Sequence, residues 1–178
     1  MSLQSRAVED TEVAEVLNES KRRVEAIALI HQKLYQEDKI NQVDFKSYLE
    51  DFMNSQQLMA THLKCKVDSE ETTLNLDIAV PLGLIISELI TNIVKHAFDG
   101  VVNPELSVKL KSVAEGYELV VKDNGVGLPK GFDLMNSGSL VTEIITALTE
   151  QISAEITYYN NNGAEFKILF QDIPVELV

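Results

Sequence analysis

The chain has 178 residues and a formal net charge of -13, from 15 Lys and Arg against 28 Asp and Glu. An acidic surface repels polyanions, which argues against nucleic acid and anionic membrane as default partners. The single cysteine, Cys65, rules out an internal disulfide and a multi-cysteine zinc site, and we expect it to be a buried structural thiol. The longest apolar stretch, 78–86, is too short to cross a bilayer, and no signal peptide is visible, so we expect a cytoplasmic setting without membrane contact by this chain.

Residues 1–38 predict a helical arm. Apolar and small residues recur there at alternating spacings of four and three, which is a heptad pattern. The residues on this seam are Val13, Leu17, Ser20, Val24, Ile27, His31 and Leu34. The run is short for a free-standing coiled coil, so we interpret it as part of a helical hairpin or bundle. The seam then needs a partner, either a second chain or an upstream helix.

Residues 39–178 predict a domain of helices and strands. Asp44 is a predicted N-cap, and the helix after it has an apolar face made by Phe45, Leu49, Phe52, Met59 and Leu63. Pro81 suits the first turn of a long helix that ends near Phe98. Alternating apolar residues predict strands near 63–67 and 72–77, and turn residues predict hairpins around 114–116 and 161–163. A loop is expected at 124–138, followed by a helix at 140–152. Because hairpins and helices are segregated, we expect an α+β fold with helices on one face of a mixed sheet.

The long helix carries a polar stripe on an otherwise apolar segment. Its members recur at helical spacing: Glu88, Asn92, Lys95 and His96. A buried unpaired charge is costly, so the stripe either forms a weak intrahelical network or lines a cavity. In a cavity the amide oxygen of Asn92 suits Mg²⁺. Lys95 and His96 could then neutralise phosphates, while Glu88 accepts a proton or orients a water.

A second motif, Asp123-Asn-Gly125-Val-Gly127, follows a predicted strand. Asp-Asn-Gly alone is an ordinary turn sequence and a weak signal. Glycines nevertheless let the backbone approach a ligand closely, and the carboxylate of Asp123 can accept a hydrogen bond from an amine such as that of adenine. With the polar helix before it, the motif predicts a pocket for a nucleotide and its metal.

These residues resemble the ATP-binding domain of sensor histidine kinases, in the superfamily that also holds gyrase, Hsp90 and MutL. The polar helix is similar to the asparagine box of that family, and 123–127 is similar to its first glycine box. The stretches RVEAIALIHQKLY (23–35), VDFKSYL (43–49) and PLGLIISELITN (81–92) resemble the subfamily with a variant dimerisation domain. The resemblance covers nearly the whole chain, with its motifs in the family's order.

The resemblance implies a two-layer α/β sandwich of the histidine-kinase-like ATPase (Bergerat) type, with ATP and Mg²⁺ as ligands. It implies a protein-histidine kinase that transfers the γ-phosphate of ATP to a histidine for relay to the receiver domain of a response regulator. The arm would be the second helix of a truncated dimerisation hairpin and would form a homodimer. The acceptor helix is expected outside this chain, and upstream parts could be soluble or membrane-anchored. His31 lies in that second helix and on the seam, so we interpret it as a packing residue or a hydrogen-bonding residue of the bundle rather than as the phosphoacceptor.

Functional residues follow from the resemblance position by position. Asn92 would bind Mg²⁺, and Glu88 would be the catalytic polar residue of the same box. Lys95 and His96 would face the phosphates. The adenine side of the pocket would be formed by Asp123, Gly125 and Gly127, and Gly138 would contribute to cofactor binding.

Two positions depart from the family pattern. Val141 stands where a glycine is expected, and a β-branched residue does not readily adopt glycine-only dihedral angles. Ala164 stands where threonine is usual, which removes a hydroxyl near adenine. We therefore keep a second hypothesis, a degenerate kinase-like module that binds ATP weakly and acts through protein partners. A third, an anti-sigma-type serine kinase, is disfavoured by the heptad arm.

Overall fold

The computed structural model describes residues 3–36, 41–134 and 139–173. Four helices and seven strands are formed in this part of the chain. In chain order they are α1 (Leu3–Gln36), β1 (Gln42–Asp44), α2 (Phe45–Met59), β2 (Lys64–Ser69), β3 (Thr73–Asn75), α3 (Leu76–His96), β4 (Glu105–Val113), β5 (Gly116–Asp123), α4 (Leu140–Gln151), β6 (Glu155–Asn160) and β7 (Ala164–Phe170).

The main sheet has five strands in the order β2-β4-β5-β7-β6, and β1 pairs with β3 in a separate two-stranded ribbon. Strand β2 runs parallel to β4, whereas the remaining pairs of the main sheet are antiparallel. The predicted mixed sheet and both predicted hairpins are therefore confirmed. The parallel step requires a crossover, and the chain makes it through β3 and α3.

The two faces of the sheet differ in chemistry. Buried residues alternate along β4 and β5, with Leu106, Val108 and Val121 in the core. The opposite face carries cross-strand ion pairs, such as Lys111–Glu118 at 2.8 Å. Helix α3 covers the apolar face beside α4. This is the expected two-layer sandwich with helices on one face.

Helix α3 is the central helix of the domain. It begins at Leu76 directly after β3, so Pro81 lies inside the helix and not in its first turn as predicted. The apolar residues on both sides of the proline, including Ile78 and Leu82, are buried. Their packing offsets the destabilising effect of a proline inside the helix. By length and composition α3 could cross a membrane, but 67% of its most apolar window is buried inside the fold, as in a core helix.

Helix α1 lies against the domain along one face. Ala26 and Ile30 are buried there, and Gly83 of α3 lets them approach, because a Cβ on this glycine would lie 2.5 Å from Ile30 Cδ1. The N-terminal part of the predicted seam faces away, since Val24 is 65% exposed and Leu17 is 64% exposed, whereas Leu34 at its C-terminal end packs against the core.

Two predictions of burial were wrong. Met59 was expected on the apolar face of α2, but it is the last residue of that helix and is 72% exposed. Cys65 is only partly buried, because β2 is the edge strand of the sheet. Its partial burial still raises the pKa of the thiol. The predicted N-cap was confirmed, as Asp44 accepts a hydrogen bond from the Ser47 N–H.

Candidate functional site

A cavity of about 280 Å³ lies between α3, the segment that follows β5, the start of α4 and β7. Its walls are mostly apolar, with Leu89, Ile93 and Phe166 on the core side. A small set of polar side chains converges on it: Asn92, His96, Asp123, Ser139 and Thr142. An apolar cavity with a few converging polar groups is the usual form of a small-molecule site.

Asp123 is the most deeply buried charged group of the cavity, with 2% of the residue exposed. Its Oδ1 accepts a hydrogen bond from the Gly125 N–H at 2.7 Å, and its Oδ2 accepts one from the Ala164 N–H at 3.2 Å. Burial raises the pKa of this carboxyl group, while the two N–H donors and Lys122 oppose that rise. The carboxylate is thus held in one orientation as an acceptor for a ligand donor.

Two glycines, Gly125 and Gly163, allow neighbouring backbone segments to approach one another closely around Asp123. A Cβ on Gly125 would lie 2.1 Å from the carbonyl oxygen of Ala97, which ends α3. The same carbonyl accepts a hydrogen bond from the Val126 N–H at 2.8 Å. Gly163 has a φ of +125°, and a Cβ there would lie 2.1 Å from the Asp123 carbonyl oxygen. Only glycine allows α3, β5 and β7 to meet at this point.

The segment after Gly127 is held by two residues of β6 that the sequence did not single out. Asn160 accepts a hydrogen bond from the Leu128 N–H at 2.7 Å and donates one to the Leu128 carbonyl at 3.2 Å. Tyr158 accepts one from the Leu134 N–H at 3.0 Å. Asn160 precedes Asn161-Asn162-Gly163, so in the sequence it is indistinguishable from a turn residue.

The start of α4 forms another wall of the cavity. Ser139 is the N-cap and accepts a hydrogen bond from the Thr142 N–H at 3.3 Å. Val141 lies in the first helical turn and is not among the described residues with positive φ. The expectation that this position demands glycine-only dihedral angles was therefore wrong for this conformation. Helix N–H groups at such a start attract phosphate groups.

The polar residues of α3 divide between two directions. Asn92 and His96 line the cavity with Asp123 and Gly127. Gly125 is not among the lining residues and packs against Ala97 at the end of α3. Glu88 and Lys95 are instead paired with α1. Gly138 lies outside the described residues.

The contacts with α1 are two ion pairs. Arg23 donates from Nε to Glu88 Oε1 at 2.6 Å and from Nη2 to Oε2 at 3.2 Å. Lys95 donates to Glu19 at 2.6 Å. The helix therefore presents one pair of polar residues to the cavity and another pair to the arm.

The described side chains do not form a metal centre by themselves. No group of three or more His, Cys, Asp or Glu residues with metal-binding geometry occurs among them. Asn92 is thus the candidate that supplies a hard oxygen from α3 at the cavity. This fits Mg²⁺, which keeps several waters and takes much of its coordination from substrate phosphates.

Two family models match separate parts of the chain. Residues 77–174 match the family described as "Histidine kinase-, DNA gyrase B-, and HSP90-like ATPase". Residues 1–60 match a family described as "Histidine kinase". Residues 61–76 lie between the two matches, and the match at 1–60 includes both α1 and α2.

Curated relatives include the sensor histidine kinase PdtaS of Mycobacterium tuberculosis, which is 31% identical over 159 residues. That match covers 88% of this chain and 31% of PdtaS. The blue-light-activated histidine kinase 2 of Erythrobacter litoralis is 27% identical over 162 residues, covering 86% of this chain and 46% of that protein. The chain thus spans less than half the length of these relatives.

Solved structures show the same fold. The histidine kinase domain of the Erythrobacter litoralis EL346 blue-light-activated histidine kinase aligns with a TM-score of 0.79 at 20% identity, over 97% of this chain and 89% of that one. The ATP-binding domain of PrrB from Mycobacterium tuberculosis aligns with a TM-score of 0.62 at 20% identity, over 74% and 96%. The chain therefore belongs to the histidine kinase-, DNA gyrase B- and HSP90-like ATPase family, and it corresponds to the C-terminal region of a sensor histidine kinase.

Proposed function

We propose that this chain is the catalytic unit of a protein-histidine kinase, which binds Mg²⁺-ATP and transfers the γ-phosphate to a histidine. The observation that carries the proposal is the buried carboxylate of Asp123, which is held by two backbone N–H groups at the end of an apolar cavity. A carboxylate in that setting selects a ligand that offers an N–H donor beside a flat apolar surface. The adenine ring has both properties.

The size and polarity of the cavity support a nucleotide. A volume of about 280 Å³ lies near the lower end for small-molecule pockets, so we expect it to enclose the base and the sugar rather than the whole of ATP. The phosphates would then extend toward His96 and the start of α4. Helix N–H groups and basic side chains are suitable partners for such charges.

The metal belongs to the same proposal. Asn92 would contribute an amide oxygen to Mg²⁺, and the phosphates and water would contribute the other ligands. The ion, when bound, neutralises charge on the phosphates during transfer. The chain's own residues bind and orient the nucleotide: Asp123 fixes the base, and Asn92 fixes the opposite end of the ligand.

Partners beyond the nucleotide are proposed on the exposed seam of α1 and on the match of residues 1–60. Val13, Leu17 and Val24 are each more than half exposed, which suits a homodimer formed through the arm. We further propose the receiver domain of a response regulator as the later phosphate acceptor, in the cytoplasm. The degenerate-module alternative is disfavoured, because Val141 fits a regular first turn of α4.

Phosphoryl transfer tests the proposal. A longer protein that includes the region upstream of this chain should incorporate label from γ-labelled ATP into an acid-labile bond, as phosphohistidine does. The Asn92→Ala variant of the same protein should lose this labelling. An acid-stable label would support the serine-kinase hypothesis instead, and an unlabelled but folded protein would support the degenerate module.

A further inference from the structure

The two ion pairs between α1 and α3 tie the arm to residues that the family resemblance assigns to phosphate chemistry. Glu88 lies one helical turn before Asn92 and Lys95 lies about one turn after it, so both are neighbours on α3 of a residue that lines the cavity. Neither is among the residues that line it. Their charged groups are engaged by Arg23 and Glu19 of the arm.

The ion pair at Glu88 is stronger than the ion pair at Lys95. The Glu88 side chain is 6% exposed and accepts two hydrogen bonds from one guanidinium, which is the preferred bidentate arrangement. The Lys95 side chain is 33% exposed and its partner Glu19 is 23% exposed. The hydrogen bond from Lys95 lowers the pKa of Glu19, as expected for a carboxylate held in its charged form.

The arm is attached differently along its length. Near its C-terminal end Ala26 and Ile30 are buried against the domain. Toward its N-terminal end the described contacts with α3 are ionic, and Val16 and Leu17 are 52% and 64% exposed. The partly exposed Lys95–Glu19 pair can be exchanged for other ions at modest cost, whereas the buried Glu88 pair and the buried apolar contacts cannot.

We propose that Glu19 and Arg23 form an ionic latch that holds the arm on α3 and keeps Lys95 from the phosphates of bound Mg²⁺-ATP. This inference rests on the proposed function, because it requires phosphates at the margin of the cavity. Phosphates leaving the cavity past His96 reach the edge of α3 on which Lys95 lies. There they compete with Glu19 for the same ammonium group.

The competition has two consequences. Linkage is reciprocal, so phosphates that bind Lys95 loosen the arm, and a loosened arm raises the affinity for phosphates by the same factor. Adenosine has the same base and sugar but no phosphate, so it should neither loosen the arm nor respond to the latch. A variant that changes the affinity for Mg²⁺-ATP but not for adenosine therefore acts through the latch and not through the base-binding part of the cavity.

The test compares Glu19→Gln with Glu25→Gln. Both variants remove one negative charge from α1, but Glu25 pairs with Lys21 on the same helix at 3.6 Å, and no ion pair joins it to α3 in the described part of the chain. We expect Glu19→Gln to bind Mg²⁺-ATP about fivefold to tenfold more tightly than Glu25→Gln, with adenosine affinity unchanged. Unchanged or weaker Mg²⁺-ATP binding by Glu19→Gln would overturn the proposal.

Amide hydrogen exchange over residues 13–24 provides the second readout. In the wild-type chain, Mg²⁺-ATP should increase exchange there and adenosine should not. Without nucleotide, Arg23→Gln should increase it as well, and equal exchange in this variant and the wild type would show that no latch exists. If the wild-type chain binds neither ligand, the proposed function and the competition both fail, but the comparison with Arg23→Gln still decides whether the arm is latched.

Discussion

Asn160 holds the backbone of Leu128 at both of its polar groups, accepting from the N–H at 2.7 Å and donating to the carbonyl at 3.2 Å. One side-chain amide thereby joins β6 to the segment that closes the cavity. A side chain at Gly127 would disturb this contact, because a Cβ there would lie 2.7 Å from Asn160 Oδ1 and the backbone has a φ of +78°.

Replacing this amide should therefore weaken ligand binding. In Asn160→Ala both hydrogen bonds to Leu128 are lost, and we expect nucleotide affinity to fall about tenfold, since each such bond contributes on the order of 1 kcal/mol. Asn161→Ala is the matched control, because Asn161 lies next in the chain and donates to Glu165 instead. Calorimetric titration of both variants checks the prediction, and equal affinities would contradict it.

The close contact of Gly163 with Asp123 predicts a larger effect. Gly163→Ala would force a methyl group toward the Asp123 carbonyl oxygen and strain a backbone with φ of +125°. We expect the variant to lose nucleotide binding and its free energy of unfolding to decrease by about 2 kcal/mol or more. Gly100→Ala is the control, because Gly100 has a φ of +72° with nothing within 4 Å of the added atom.

Gly100→Ala should lower the free energy of unfolding by only about 1 kcal/mol, because only the backbone conformation is strained. Urea denaturation gives both free energies of unfolding. A Gly163→Ala protein as stable as the Gly100→Ala protein would mean that the β5–β7 contact is looser than described.

Tyr158 offers a milder change at the same wall. Tyr158→Phe removes the acceptor of the Leu134 N–H and a long hydrogen bond to Asp133 at 3.5 Å, but it keeps the ring, which meets Phe132 edge-on with 5.3 Å between ring centres. We expect a loss of about 1 kcal/mol in unfolding free energy and a threefold to tenfold loss in nucleotide affinity, as for one hydrogen bond. Tyr117→Phe, at a ring that stacks on Phe170 away from the cavity, should leave affinity unchanged. Equal affinity losses in the two variants would contradict the assigned role of Tyr158.

The raised pKa of Asp123 predicts opposite effects of pH on binding and on folding. The ligand amine needs the ionised carboxylate, so affinity should fall as the pH decreases through the raised pKa. Folding changes in the other direction. Because the folded pKa lies above that of the unfolded chain, this group favours folding at low pH, and that contribution is lost as the pH rises through the folded pKa.

Adenosine is the suitable probe for this effect, since it has no phosphate to titrate. Its affinity should show the acid decline in the wild-type chain, and any binding that remains in Asp123→Asn should not. A wild-type profile that stays flat down to the ordinary pKa range of aspartate would show that Asp123 does not contact the base.

Much of this architecture could be predicted from the sequence, because its signals are local. The period-two alternation of β4 and β5, the Asn-Asn-Gly turn and the N-cap at Asp44 depend on near neighbours in the chain. Asp123 and Asn92 were identified because the residue types suit a nucleotide and its metal. Pro81 was misplaced because β3 runs into α3 without a loop.

Other parts of the site depend on contacts distant in sequence. Nothing near Asn160 marks it as the partner of Leu128, 32 residues earlier. Likewise the helical stripe showed that Glu88 and Lys95 needed partners, but not that these come from an arm 65 and 76 residues earlier. Helical periodicity assigns residues to a face, and only tertiary packing determines what that face meets.

The most direct measurement is calorimetric titration of Mg²⁺-ATP into the wild-type chain, Asn92→Ala and Asp123→Ala under the same conditions. We expect saturable binding to the wild type, a substantially weaker interaction with Asn92→Ala that depends less on Mg²⁺, and no measurable binding to Asp123→Ala. Absence of heat with the folded wild-type chain at millimolar nucleotide, or equal affinity in all three proteins, would contradict the assignment of this cavity as the ATP site.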